Sequence, residues 1–115
     1  MQVKIKRVYD KPDEGDGIRF LVDRGWPGLK KELAAIDLWF KAITPSTALR
    51  KWFNHDVKKW EAFRKRYLNE RKDIPDQTSQ LKNEMKKGVV TLVYGAKDEK
   101  HNQAVVVRDF LSDFF

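Results

Sequence analysis

Residues 89–94, VVTLVY, constrain the fold more than any other stretch of the chain. The run is continuously apolar and rich in β-branched side chains, which is typical of a strand covered on both faces. Residues 98–115 follow after a short loop and predict a helix, with Asp98 as its N-cap and Ala104, Val107 and Leu111 along one side. A buried strand that leads through a short loop into a helix is half of a parallel α/β unit, so the sequence predicts an α/β fold.

Two further strands are predicted near the N-terminus, at residues 3–9 and 17–23. The stretch between them, DKPDEGD, is short for a parallel crossover, so its length favours an antiparallel hairpin. An extended return of about 23 Å would also allow the two strands to run parallel. Residues 35–43 mix helix and strand signals and are predicted as a strand, which brings the sheet to about four strands.

Three helices are predicted in the middle of the chain, at residues 44–54, 55–72 and 75–88. Ser46 is the expected N-cap of the first helix, and Asn54 is its expected left-handed stop. A chain of 115 residues with 41% hydrophobic residues can bury one core. We therefore expect residues 1–115 to form a single compact α/β domain, with a small, mostly parallel sheet flanked by helices in three layers.

Composition excludes several classes of site. The chain has no Cys and only two His, which excludes disulfides, thiolate metal sites and His-rich zinc sites, so no metal is predicted. No signal-peptide pattern and no apolar run of about 18 residues is present. We expect a cytoplasmic protein without a membrane partner, whose cofactors and oligomeric state are left undetermined.

The positive charge is concentrated in the centre of the chain. Residues 30–87 contain 15 Lys and Arg against 8 Asp and Glu, which accounts for the whole net charge of +7. This distribution suggests one basic face, and a nucleic-acid accessory protein is therefore an alternative function. The residues that would serve it on helix 57–72 are Lys58, Lys59, Lys65 and Arg66. A solvated helix face is the simpler interpretation of the same pattern.

Charged residues follow the predicted strands. Ligands of open α/β sheets bind beyond the carboxyl ends of parallel strands, so parallel strands would bring these residues together. Arg24 and Lys97 would then hold a phosphate or carboxylate, and in an enzyme His101 or Asp23 would move a proton. The other candidate ligand-binding residues are Arg7, Tyr9, Trp26 and Asp98. The leading hypothesis is a binding site for a small anionic ligand, such as a nucleotide or a phosphorylated sugar.

Each of these residues also has a structural interpretation. Asp23 and Arg24 could form an ion pair that fixes the loop, and Asp98 could be only an N-cap. His55 and Asp56 form a second candidate cluster. His55 could be a base that Asp56 orients, but Asp56 could also simply cap the following helix. The aromatic content alone would also fit a third function, in which this protein is a structural subunit of a complex.

Five ordered motifs give the chain a resemblance to a known family. They are KRVYD at 6–10, LVDRGWPG at 21–28, PSTALRKWFNHD at 45–56, WEAFRKRY at 60–67 and TLVYGAKDEKHNQAVVV at 91–107. Together they resemble the YeaO-like family of small proteins of unknown function. The resemblance implies an α/β fold whose first two strands run in the same direction, and it implies no established activity.

The resemblance also selects motif residues. Carried over by position, they are Arg7, Tyr9, Asp10, Asp23, Arg24, Trp26, Pro27, Arg50, Trp52, His55, Asp56, Asp98, His101 and Asn102. Two departures from the family pattern are visible. An arginine usual after the Trp-Pro pair is missing at Gly28, and the Cys-His-Arg of longer relatives is replaced by His101, Asn102 and Gln103. A thiol mechanism is therefore excluded in this chain.

Overall fold

The computed structural model describes residues 3–71 and 75–112 and contains a four-stranded sheet. Its strands are β1 (Val3–Arg7), β2 (Ile18–Leu21), β3 (Leu38–Trp39) and β4 (Val90–Tyr94). The spatial order is β1-β4-β2-β3, and every pair is parallel. The predicted α/β fold with a parallel sheet of about four strands is confirmed.

Strand β4 lies between β1 and β2 and is buried along its whole length. Leu92 pairs with Ile5 on one side and with Phe20 on the other, which fixes the register of all three strands. The apolar run at residues 89–94 is therefore explained, because a central strand has hydrogen-bonded neighbours on both edges and packed layers on both faces.

The hairpin expected from the short connection between β1 and β2 is wrong. Both strands pair with β4 in the same direction, as the family resemblance implies. A short connection implies a hairpin only when the two strands are neighbours, and β4 separates β1 from β2. The connection ends at Gly17, whose φ of 64° is in the left-handed region, and a Cβ there would lie 2.1 Å from the carbonyl oxygen of Val89. Only glycine fits this turn into β2.

Five helices accompany the sheet among the described residues: α1 (Lys31–Ala34), α2 (Thr47–Phe53), α3 (Trp60–Arg71), α4 (Pro75–Lys87) and α5 (Gln103–Ser112). Helices α2 to α5 contribute apolar side chains to one large core with Phe20 and Leu92 of the sheet. On the other face Leu21 and Val93 pack in a smaller cluster with Ala34 of α1. The result is the predicted three-layer arrangement. No helix in the described ranges combines the length and apolar character needed to span a bilayer.

Local signals were accurate in the middle of the chain and less so at the sheet edge. Ser46 accepts a hydrogen bond from the Leu49 N–H at 3.1 Å and caps α2, and Asn54 ends the helix at φ 47°. The strand predicted at residues 35–43 is shorter than expected. Only Leu38 and Trp39 pair with β2, and a 3-10 turn at Lys41–Ile43 follows, because this strand lies at the edge and the chain turns away towards α2.

A buried ion cluster lies on the sheet face that packs against α1, which is the thinly covered face of the sheet. Arg19 of β2 is 4% exposed, and its Nη1 contacts the Asp16 carboxylate at 2.5 Å. The remaining guanidinium nitrogens donate to the main-chain carbonyls of Ala34 and Ala35, each at 2.9 Å. Lys6 approaches the same carboxylate at 3.3 Å. The cluster joins β1, β2 and the end of α1.

Candidate functional site

A cleft of about 570 Å³ lies beyond the carboxyl ends of β2 and β4 and extends to α2 and the segment before α5. Its lining includes apolar, aromatic and charged side chains. The residues that bear on function are Tyr9, Asp23, Arg24, Trp26, Arg50, Lys51, His55, His101 and Gln103. Four of these residues follow β1 or β2, and two come from the start of α5 or the segment before it. Arg50 and Lys51 belong to α2, and His55 follows that helix.

Asp23 links the strand ends to α5. One carboxylate oxygen accepts from the Gly95 N–H at 2.8 Å, and the other accepts from the Gln103 side-chain amide. Burial raises the pKa of Asp23, although the Gly95 hydrogen bond, the positive charge of Arg50 and the Gln103 hydrogen bond all oppose the rise. A Cβ at residue 95 would lie 2.8 Å from the Asp23 carboxylate, so a larger residue there would displace the Asp23 side chain.

Arg24 does not pair with its neighbour in sequence. Its Nε donates to the Pro45 carbonyl at 3.0 Å, and in the described part of the chain no ion pair joins it to Asp23. The structural ion pair considered for these two residues is therefore wrong. The Pro45 contact orients the guanidinium, and no described residue bonds its two terminal nitrogens. A planar fork held by Nε can donate two parallel hydrogen bonds to a phosphate or carboxylate.

The N-cap of α5 is Asn102 and not Asp98. Asn102 is buried, accepts from the Val105 N–H at 3.2 Å and donates to the Asp98 carbonyl at 2.9 Å. Asp98 instead accepts from the N–H groups of Lys100 and His101, at 2.9 and 3.1 Å, and so closes a turn at residues 98–101, ahead of the helix that begins at Gln103. Asn and Asp are equally good caps, so local propensity alone could not choose between them.

His101 contacts Asp98 and Trp60 at the cleft. Its Nδ1 lies 2.9 Å from the Asp98 carboxylate, and its ring meets that of Trp60 edge-on at 5.2 Å. Hydrogen bonds from the Lys100 N–H and from His101 hold the pKa of Asp98 below its usual value, against a smaller opposing effect of burial. A carboxylate at Nδ1 retains a proton there, which leaves Nε2 as the nitrogen available to a ligand.

The second predicted cluster separates into two roles. Asp56 accepts from the Lys58 N–H at 3.0 Å and caps the 3-10 turn at residues 57–59, and it does not line the cleft. His55 lines the cleft, and both Asn54 and His55 have positive φ values, of 47° and 56°. Two consecutive left-handed residues other than glycine are uncommon, and such conformations often occur at functional sites.

The first strand end contributes an aromatic residue to the cleft. Tyr9 lines the cleft and is 49% exposed, while Arg7 lies 5.2 Å from its ring centre and donates to the Ala96 carbonyl at 3.0 Å. Arg7 therefore supports the cleft without lining it. Lys97 is exposed and is absent from the cleft lining, so the structure does not bring it together with Arg24.

The basic surface of helix 57–72 is partly occupied by an aromatic contact. Lys59 and Arg66 lie on Trp52, at 5.0 and 4.1 Å from its ring, and Lys59 also donates to the Trp52 carbonyl. Lys58 and Lys65 are exposed. None of these four basic residues lines the cleft.

Three cleft residues were absent from the candidate ligand and catalytic set: Arg50, Lys51 and Gln103. Arg50 was marked only by the family motif, and Gln103 only as a departure from the pattern of longer relatives. Lys51 had no signal of its own. Their place in the cleft depends on how α2 and α5 pack against the sheet, which sequence periodicity does not specify. The described residues contain no group of three His, Asp or Glu side chains that could hold a metal ion.

The fold and the cleft define a small parallel α/β protein with cationic side chains above its strand ends. Comparison with known proteins places it more narrowly. Residues 2–115 match the family model described as the inactive DUF488-N3 subclade, and the chain belongs to this family. It is 45% identical over 112 residues to the uncharacterized protein YeaO of Escherichia coli, covering 96% of this chain and 97% of that protein. The resemblance inferred from the motifs is confirmed.

More distant relatives are mycobacterial. The chain is 33% identical over 112 residues to uncharacterized proteins of Mycobacterium bovis and Mycobacterium tuberculosis, covering 96% of this chain and 94% of each relative. No solved structure matches the chain significantly.

Proposed function

We propose that the cleft binds a small anionic ligand that carries a phosphate or carboxylate group. The observation that carries the proposal is the charge of the lining. Arg24, Arg50 and Lys51 have cationic side chains, and Asp23 is the one carboxylate among the described lining residues. The two donors on the Asp23 carboxylate and its neighbour Arg50 limit its repulsion of an incoming anion.

Arg24 is the proposed anion-binding residue. Its terminal nitrogens have no partner among the described residues, and its Nε contact with Pro45 reduces the side-chain entropy lost on binding. The N-terminus of α2 is not part of the proposal, because the Glu70 carboxylate already accepts from the Ser46 N–H and hydroxyl at 2.9 and 2.6 Å. The volume of about 570 Å³ lies within the usual range of small-molecule sites.

The proposed role of His101 is a hydrogen bond to the ligand through Nε2, with Asp98 orienting the ring. The same nitrogen would move the proton in any reaction at this site. Asp23 is proposed to hold the cleft wall, because donors already occupy both of its oxygens. The description of the family as inactive favours binding without turnover in this chain.

Nucleic-acid binding by the basic helix is the second candidate, and no contact among the described residues favours it. Lys59 and Arg66, half of the proposed basic set, already lie on Trp52. A nucleic-acid site there would depend mainly on Lys58 and Lys65. Its affinity would fall steeply with salt, because each phosphate contact releases counterions.

A thermal-shift screen against inorganic phosphate, sugar phosphates, nucleotides, dicarboxylates and short oligonucleotides tests the proposal. A ligand at about 100 times its dissociation constant should add about 2.7 kcal/mol of stability, which corresponds to roughly 10 °C in a chain of this size. Arg24→Ala should abolish that shift while the unliganded protein melts as before. Lys58→Ala, which removes the same charge outside the cleft, is the matched control.

Two outcomes would contradict the proposal. Equal loss of the shift in the Arg24 and Lys58 variants would indicate a general charge effect. Stabilisation by oligonucleotides alone, lost at high salt and in Lys58→Ala, would assign the function to the basic helix.

A further inference from the structure

The four tryptophans of the chain differ in what covers their rings. Lys41 lies 3.9 Å from the ring centre of Trp39, and Lys59 and Arg66 lie over Trp52. Trp60 packs among Phe53, Phe63 and His101 at centroid distances of 5.2 to 6.0 Å. Trp26 is the exception: it is 36% exposed, lines the cleft, and has one described ring contact, with Trp39.

Trp26 is nevertheless held in place. Its indole N–H donates to the Leu29 carbonyl at 3.0 Å, and its ring meets that of Trp39 at 5.3 Å and 70°. Trp39 is itself fixed, because its indole N–H donates to the Asp23 carbonyl at 2.8 Å. A large aromatic ring that is exposed in a cleft and fixed by two contacts is a preorganised stacking surface, since little entropy is lost when a flat group packs on it.

The stacking surface and the anion-binding residue are close in the sequence and line the same cleft. Arg24 and Trp26 both belong to the segment that follows β2, and the exposed ring of Tyr9 lines the cleft as well. A single small ligand that uses both functions must carry an anionic group and a flat ring. Sugar phosphates satisfy the first requirement but present no aromatic face.

We propose that the ligand is a nucleoside monophosphate whose base stacks on Trp26 and whose phosphate binds Arg24. This proposal rests on the anion-binding function above and narrows its ligand class. Stacking of a base on an aromatic side chain accepts any base, so we expect both purine and pyrimidine monophosphates to bind.

Isothermal titration with adenosine 5′-monophosphate and ribose 5-phosphate tests this inference, because the two ligands share a sugar phosphate and differ in the base. The wild-type protein should bind the nucleotide at least about tenfold more tightly. Trp26→Leu, which keeps apolar bulk but lacks a ring, should bring the two affinities close together. Trp26→Phe should retain most of it, and Arg24→Ala should weaken both ligands.

Each outcome separates the two proposals. Equal wild-type affinities for the two ligands would overturn the nucleotide assignment and leave the anion site intact. A nucleotide preference that survives in a folded Trp26→Leu protein would overturn the role of Trp26. Absence of binding by every phosphate would overturn the anion site itself. The wild-type affinity ratio does not depend on the folding of any variant.

Discussion

Replacement of Asp16 by Ala should destabilise the protein strongly, although Asp16 lies outside the cleft. The Arg19 guanidinium is enclosed on the thinly covered face of the sheet, and the Asp16 carboxylate is its only described anionic partner. Asp16→Ala leaves that positive charge buried and unpaired. Removal of one partner of a buried ion pair costs about 3–5 kcal/mol.

This cost converts to a melting temperature through the size of the chain. The entropy of unfolding is about 2.1 cal/mol/K per residue, or about 0.24 kcal/mol/K for 115 residues, so the melting temperature should fall by about 12–20 °C. Lys6→Ala is the matched control, because the Lys6 side chain is partly exposed and its pair with Asp16 is worth at most about 1 kcal/mol. The double variant Asp16→Ala/Arg19→Met removes both charges and should recover most of the loss.

The pH dependence provides an independent check. Burial opposes ionisation of Asp16, but hydrogen bonds from the Asp13 N–H, Arg19 and Lys6 prevail and hold its pKa below the usual value. The stability that the ionised carboxylate contributes is therefore present above about pH 3.9, the pKa in the unfolded chain, and is lost as the pH falls through the lower folded value. Urea denaturation at neutral and acidic pH should show the difference between wild type and Asp16→Ala shrinking below about pH 4.

The reasoning would be refuted by an Asp16→Ala protein that loses no more stability than Lys6→Ala. It would also be refuted by a double variant that is less stable than Asp16→Ala alone, because the buried charge would then not be the source of the cost.

Three further predictions concern other contacts. Gly17→Ala places a Cβ 2.1 Å from the Val89 carbonyl oxygen at a residue with positive φ. This variant should lose at least about 2 kcal/mol of unfolding free energy, measured by urea denaturation. Gly28→Ala is the control, because residue 28 has open space around it, and it should change the unfolding free energy by less than about 1 kcal/mol. The pKa of Asp23 is raised in the folded protein, so its ionisation removes stability as the pH rises from about 3.9 through the folded pKa. Denaturation curves at several pH values should therefore show the stability of wild type falling relative to that of Asp23→Asn over this window. Tyr67→Phe removes a buried hydrogen bond of 2.5 Å to a main-chain carbonyl and should lower the free energy of unfolding by about 1–3 kcal/mol, measured in the same way.

The sequence predicted the elements whose signals are local. The apolar run of β4 and the caps Ser46 and Asn54 of α2 follow from side-chain chemistry and backbone preference, and the structure has them where they were expected. The strand direction did not follow from local signals. A short connection means a hairpin only when its strands are adjacent, and the insertion of β4 between β1 and β2 is a property of the whole fold.

The candidate site was predicted in part for the same reason. Arg24 and His101 line one cleft because parallel strands end at one edge of a sheet, which is a general rule. Lys97 follows the same strand as Gly95 but is exposed outside the cleft, because the turn closed by Asp98 determines where its backbone lies. Arg50 reaches the cleft only through the packing of α2, which no spacing in the sequence encodes.

The central position of β4 has a consequence for synthesis and folding of the chain. Among the described residues, strand β1 pairs only with β4, and β2 shares just two residue pairs with β3. Little of the sheet can therefore form before residues 90–94 are available. Synthesis at about 5–20 residues per second takes about 4–14 s to reach β4 from residues 20–21. Phe20 and Leu21 therefore lack their partner strand for that time. The pairings span about 70 residues or more, which predicts slow folding. A ribosome-bound chain that ends before residue 90 should therefore be cut rapidly by protease, and one that exposes β4 and α5 should resist.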